Sequence, residues 1–188
     1  MASARQMRPT IYQVKVTLKD SKPPIWRRIQ LRGETTLDTF HKILQALMGW
    51  TGSCPHLFII NRTFYGKPDP DYLFEVKDEK SVTLSALFAG RNGRFAYEYD
   101  FEDCWQHDLL IEEVIASRKR FTCPICLAGR RACPPEDCGG IWEYADILDA
   151  IEDPRHPQYY SMLSWVENGF DPDSFNIEEI NRKLRKIK

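Results

Sequence analysis

The stretch "IYQVKVTL" (Ile11 to Leu18) alternates Tyr12, Val14, Val16 and Leu18 with Gln13, Lys15 and Thr17. A period of two predicts a β-strand with one face buried and the other turned to water. "KDSKPP" (Lys19 to Pro24) then breaks the pattern, because Pro23 and Pro24 cannot donate to a strand ladder. "IWRRIQL" (Ile25 to Leu31) resumes it, with Ile25, Ile29 and Leu31 on one side and Trp26, Arg28 and Gln30 on the other. Two half-buried strands joined by so short a break predict a hairpin, and with it an antiparallel sheet.

Outward from the hairpin the period changes. In "TTLDTFHKILQALMGW", Leu37, Phe40, Ile43, Leu44 and Leu47 share a helical stripe, with Thr36 as N-cap and Gly49 as the stop. "HLFIINRTFYG" returns to strand character, and "SVTLSALFAG" reads as a short helix closed by Gly90. Phe95, Tyr97 and Tyr99 alternate in "RFAYEYD", and "CWQHDLLIEEVI" resumes extended character after the turn-prone "DFED", so a second hairpin is expected. "IWEYADILDAI", "QYYSMLSWVENG" and "NIEEINRKLRKIK" read as helices, the last with a basic end that suits the helix dipole.

Strands thus fill the first two thirds and helices the last third, without the strand-helix alternation of a parallel sheet. The expected class is α+β, an antiparallel sheet with helices packed mainly on one side, formed by residues 1–188 as one domain. At 188 residues the chain is long enough to bury roughly two thirds of its unfolded surface. With 26 basic and 27 acidic residues its net charge is -1, so no global field draws in nucleic acid or an anionic membrane. No run of apolar residues suits a signal peptide or a membrane span, and a cytoplasmic protein is expected.

In a reducing compartment, clustered cysteines are metal ligands or redox groups more often than disulfides. Residues 121–140, "FTCPICLAGRRACPPEDCGG", form a cysteine-rich segment carrying Cys123, Cys126, Cys133 and Cys138. Two thiolates two residues apart can face one ion, and a second pair across "PPED" would complete a tetrahedral structural zinc site. The same spacing admits two other readings, small buried thiols at tight turns and a redox pair.

"ACPPEDCGG", "MGW" and "YEYDFEDCWQH" together resemble the plasmid pRiA-type ORF-three-like family, also labelled insertion-element passenger proteins of a TnpR kind. The resemblance runs from "YQVKVTLKDSKPPIWRRI" to "WVENGFDPDSF". The family has no established biochemical role, and its label implies an association with mobile elements. Members read like "GSHLHEF" where this chain has "GSCPHLF", so His56 matches the second histidine and Cys54 replaces the first. They read like "DFGDSWEH" where this chain has "DFEDCWQH", which keeps Asp100, Asp103, Trp105 and His107. Cys126 and Cys133 fit the family pattern, whereas Cys138 is often valine there and Cys123 is not a family feature.

Cys54, His56, Asp103 and His107 carry the residue types of a hydrolytic metal centre, with Glu136 and Asp137 as further ligands or a general base. Against this stands a plain structural reading: Asp100 and Asp103 cap a turn, the histidines are hydrogen-bonded at strand edges, and "PPED" opens a helix. Arg118, Lys119, Arg120, Arg130 and Arg131 flank the cysteines and would offer a protein or nucleic-acid partner a basic patch. No phosphate loop, dinucleotide fingerprint, nucleophile elbow or HExxH helix is present. The expected function is therefore a non-enzymatic binding or accessory domain with a structural zinc knuckle, and the alternative a metal-dependent hydrolase or nuclease.

Overall fold

The computed structural model describes residues 10–116, 124–162 and 169–187. Its first two strands, β1 (Thr10–Leu18) and β2 (Trp26–Arg32), pair antiparallel with Val14 opposite Ile29, as the alternation requires. They belong to one eight-stranded sheet with β3 (His56–Ile60), β4 (Thr63–Gly66), β5 (Val76–Asp78), β6 (Arg94–Tyr99), β7 (Trp105–Ala116) and β8 (Ile125–Arg130). The order is β5-β4-β3-β6-β7-β1-β2-β8, antiparallel throughout except for the parallel pair β4 and β5. The second expected hairpin is β6 with β7, where Tyr97 faces His107.

The α-helices described over their full length are α1 (Leu37–Met48), α2 (Leu84–Phe88), α3 (Gly140–Glu152) and α4 (Ile177–Leu184). Thr36 caps α1 by accepting from Thr39 N, and Gly49 ends it at φ +87°, a conformation that costs glycine little. Phe40 of α1 stacks on Phe58 at 5.7 Å and meets Phe95 at 6.2 Å, so the helix stripe lies on the apolar face of the central strands. Each such large side chain contributes about 1.5–3 kcal/mol by leaving water.

Two local expectations need correction. Helix α2 ends one residue early, with Ala89 rather than Gly90 taking the left-handed cap. The "PPED" turn opens no helix; α3 begins at Gly140, after Gly139 and Gly140 both adopt positive φ. The helix expected over residues 158–169 is described only at 159–162, since 163–168 fall outside the described residues.

The face that should be uniformly apolar in β2 carries Arg27, which is 3% exposed. Its guanidinium donates to Leu47 O at the end of α1, to Trp26 O, to Arg130 O and Arg131 O beyond β8, and to Cys133 Sγ. It also lies 4.8 Å from the Phe175 ring. One buried cation thus ties β2, α1 and the start of the cysteine loop together. The edge strand β8 is covered by α4: Cys126 N donates to Asn181 Oδ1 and Asn181 Nδ2 donates to Cys126 O, so a side-chain amide takes the place of a further strand.

Candidate functional site

Helix α1 places His41 and Gln45 one turn apart on the flank of its apolar stripe, so both reach over β6 toward Tyr97. Gln45 Nε2 donates to the Tyr97 hydroxyl at 2.8 Å, and that hydroxyl lies 2.8 Å from His41 Nδ1. With Gln45 as donor, the phenol proton goes to His41 Nδ1, and the neutral imidazole carries its hydrogen on Nε2. His56, at the start of β3, stacks face to face on His41, centroids 3.5 Å apart and planes within 4°. His56 Nε2 sits 2.8 Å from Glu79 Oε2, in a pair whose side chains are 11% and 5% exposed. The carboxylate accepts from Nε2, which leaves Nδ1 of neutral His56 as a lone pair.

Both remaining ring nitrogens are thereby left over. Neither His41 Nε2 nor His56 Nδ1 has a partner among the described residues, and neither is one of the buried polar atoms that lack one. Both histidines line a cleft of about 630 Å³, together with Asp38, Gly52, Cys54, Tyr72, Glu79 and Lys80. Gly52, at φ +74°, keeps the approach open, since a Cβ there would stand 3.5 Å from His41 Nε2. Burial pushes His41 down to about 3, helped by the adjacent His56, so it stays neutral over the physiological range. Burial also raises the Cys54 thiol above its ordinary value, which keeps it protonated.

Of the residues expected at a hydrolytic centre, Cys54 and His56 line this cleft and the others lie elsewhere. His107 is 1% exposed near the start of β7, between Trp50 and Tyr97 at 5.5 and 5.4 Å, and neither ring nitrogen has a close hydrogen-bond partner. Burial lowers it to about 4, which the nearby backbone of Tyr97 and Trp105 opposes only in part. The expected hydrogen bond at a strand edge holds for His56 and not for His107. Asp103 borders a different crevice beside the start of α3, where its Oδ2 accepts from Gly139 N. Asp100 does cap the turn, accepting from Glu102 N and Asp103 N. Glu136 is a strap: it accepts from Tyr99 OH at 2.7 Å and from Thr51 N and Oγ1, holding the α1–β3 loop against the cysteine segment. Asp137 takes φ +60° in the same segment.

The cysteines occupy separate surroundings. Cys126 points from β8 into the core and bonds Ala128 O; Cys133 lies 3.0 Å from Met48 Sδ; Cys138 is buried beside Asp103, and burial pushes it up to about 12. Cys133 is pushed up to about 11 for the same reason. Among the described residues no three His, Cys, Asp or Glu side chains gather in a metal-binding arrangement. Cys123 lies outside the described residues, as do Arg118, Lys119 and Arg120. Arg131 is buried and paired with Asp173 at 2.9 Å, and Arg130 is exposed on β8. No helix among the described residues is long and apolar enough to cross a membrane.

His41, Gln45, Glu79 and Tyr97 were not singled out by the sequence. The one signal for the first two was a polar pair four residues apart bordering an apolar stripe, which by itself reads as a helix flank.

The model of the plasmid pRiA4b ORF-3-like protein family matches residues 10–179. The uncharacterised protein y4hQ of Sinorhizobium fredii is 31% identical over 177 residues, 93% of this chain and 91% of that protein. The crystal structure of the protein of unknown function MM3350 from Methanosarcina mazei Go1 aligns with a TM-score of 0.81 and 32% identity, covering 92% of this chain and 98% of the other.

Proposed function

This chain belongs to the plasmid pRiA4b ORF-3-like protein family, and on that premise we propose that it is a non-enzymatic binding domain whose cleft beside His41 and His56 receives a small polar ligand. The observation that carries the reading is the pair of stacked imidazoles, each with one nitrogen tied to the protein and one left to the cleft. Fixed, half-satisfied polar groups in a concavity of this size are how ligand sites set orientation.

Binding is favoured over chemistry by the state of the reactive groups. Cys54 is a protonated thiol, a weak nucleophile, and both oxygens of Glu136 are engaged by Tyr99 and Thr51. The hydrolase alternative draws on His56, Asp103 and His107, which lie in a cleft, in a separate crevice and in the core.

The test is a thermal-shift screen of small polar compounds on the native chain and on Ser53→Trp. Ser53 is an exposed residue of the cleft wall, so an indole there fills the cavity and leaves the core alone. Hits are expected to raise the midpoint of the native chain, by an amount that follows ligand concentration over Kd, and to have no effect on the variant. Hits that stabilise both proteins equally would place binding elsewhere.

A further inference from the structure

We infer that the group recognised between His41 and His56 is a planar amide edge, a carbonyl oxygen next to an N–H. The inference rests on the reading of the cleft as a binding site and adds the chemistry of its ligand. The polarity of each imidazole is set from behind. Gln45 gives its hydrogen to Tyr97, Tyr97 gives its own to His41 Nδ1, and the hydrogen of His41 is on Nε2, facing out as a donor. Glu79 accepts from His56 Nε2, so in its neutral form His56 presents Nδ1 as an acceptor. The two rings are parallel with centroids 3.5 Å apart, so one wall of the cleft carries both a donor and an acceptor. A carboxylate would set an oxygen against the His56 lone pair. An ammonium would set a hydrogen against the His41 N–H. An amide satisfies both, and the lactam edge of a heterocycle presents the same two atoms.

Neutral His41 and the pairing of the surrounding carboxylates favour a neutral ligand group. Glu79 is already matched by His56, and Asp38 by Lys42 at 2.7 Å. Asp78 Oδ1 is taken by Lys80 N, and Asp69 Oδ1 by Asp71 N. Charge at the mouth is thus mixed, while His41 at the wall carries none.

The experiment follows the ring C–H resonances of the four histidines in the full chain by NMR near neutral pH, during titration with benzamide, benzoate and N,N-dimethylbenzamide. Benzamide is expected to move His41 and His56 and to leave the sealed His107 and the half-buried His156, remote from the cleft lining, in place. Benzoate and the dimethyl amide are each expected to bind roughly tenfold or more weakly, because each leaves one ring nitrogen without its complement. Acetamide and uracil then separate the sources: tighter binding of either assigns an open-chain amide or a heterocycle, and both support the inference. Equal binding of the three benzoyl compounds, or tightest binding of benzoate, overturns the amide assignment and leaves the cleft reading standing. If no compound moves His41 or His56 and the thermal-shift screen finds no hit sensitive to Ser53→Trp, both fail together.

Discussion

Arg27→Ala is expected to destabilise the protein by about 3–5 kcal/mol, the range in which loss of a buried charged hydrogen-bonding group falls. The guanidinium is the shared donor for carbonyls of Trp26, Leu47, Arg130 and Arg131, all brought together where α1 ends and β8 gives way to the cysteine loop. Truncation strands several acceptors in a region closed to water and removes the contact with Phe175. Arg27→Lys keeps the charge but lacks the fork that reaches carbonyls on three elements, and is expected to recover less than half of the loss. Urea unfolding would report the change as a lower midpoint with an unchanged slope. An Arg27→Ala chain that unfolds at the native urea concentration would remove this cation from any account of the fold.

Acid is expected to destabilise the protein well before the carboxylates titrate. His107 has an ordinary pKa of 6.5 in the unfolded chain and about 4 in the folded one. Between those values the unfolded state binds the extra proton, so stability is full above about pH 6.5, falls as pH drops, and levels off below about 4. The depression of His107 corresponds to about 3 kcal/mol over that window. His41, lowered to about 3, acts with the same sign over a wider window. Neither nitrogen of His107 has a close partner, and its contacts with the backbone of Tyr97 and Trp105 are weak, so His107→Leu loses little hydrogen bonding and should fold stably at neutral pH. Midpoints in urea measured from pH 7 to pH 4 should fall less steeply for His107→Leu than for the native chain. Parallel curves would mean that His107 charges within the folded state. The same variant bears on the hydrolytic reading, in which His107 is a ligand or base: this histidine acts on stability.

Much of the fold was legible because its main signals are local. The alternation in β1 and β2, the capped stripe of α1 and the Phe95–Tyr97–Tyr99 alternation each report which face meets the core, and a one-residue slip would expose that face. The "PPED" segment misled because acids before an apolar run look like a helix start, while the actual start depends on the positive φ of Gly139 and Gly140 and on Asp103 from another turn. Arg27 interrupts the apolar side of β2, and its partners come from residues more than a hundred positions later in the chain as well as from α1. The site was less legible for the same reason. His56 stood out by type, but its meaning depends on Glu79 from a short turn, His41 from a helix and Tyr97 from a neighbouring strand. None of these contacts is encoded by spacing. Glu136, attractive as a base in a string of acids, is satisfied by Tyr99 and Thr51.

The most direct test of the cleft as the recognition site is the tautomeric state of its two histidines, read from long-range proton–nitrogen NMR correlations. The hydrogen-bond chain requires His41 to carry its hydrogen on Nε2 and to remain neutral at pH 5, and His56 in its neutral form to be protonated on Nε2 toward Glu79. A hydrogen on His41 Nδ1, or a His41 ring that titrates near its ordinary value, would contradict the polarity on which the binding site rests.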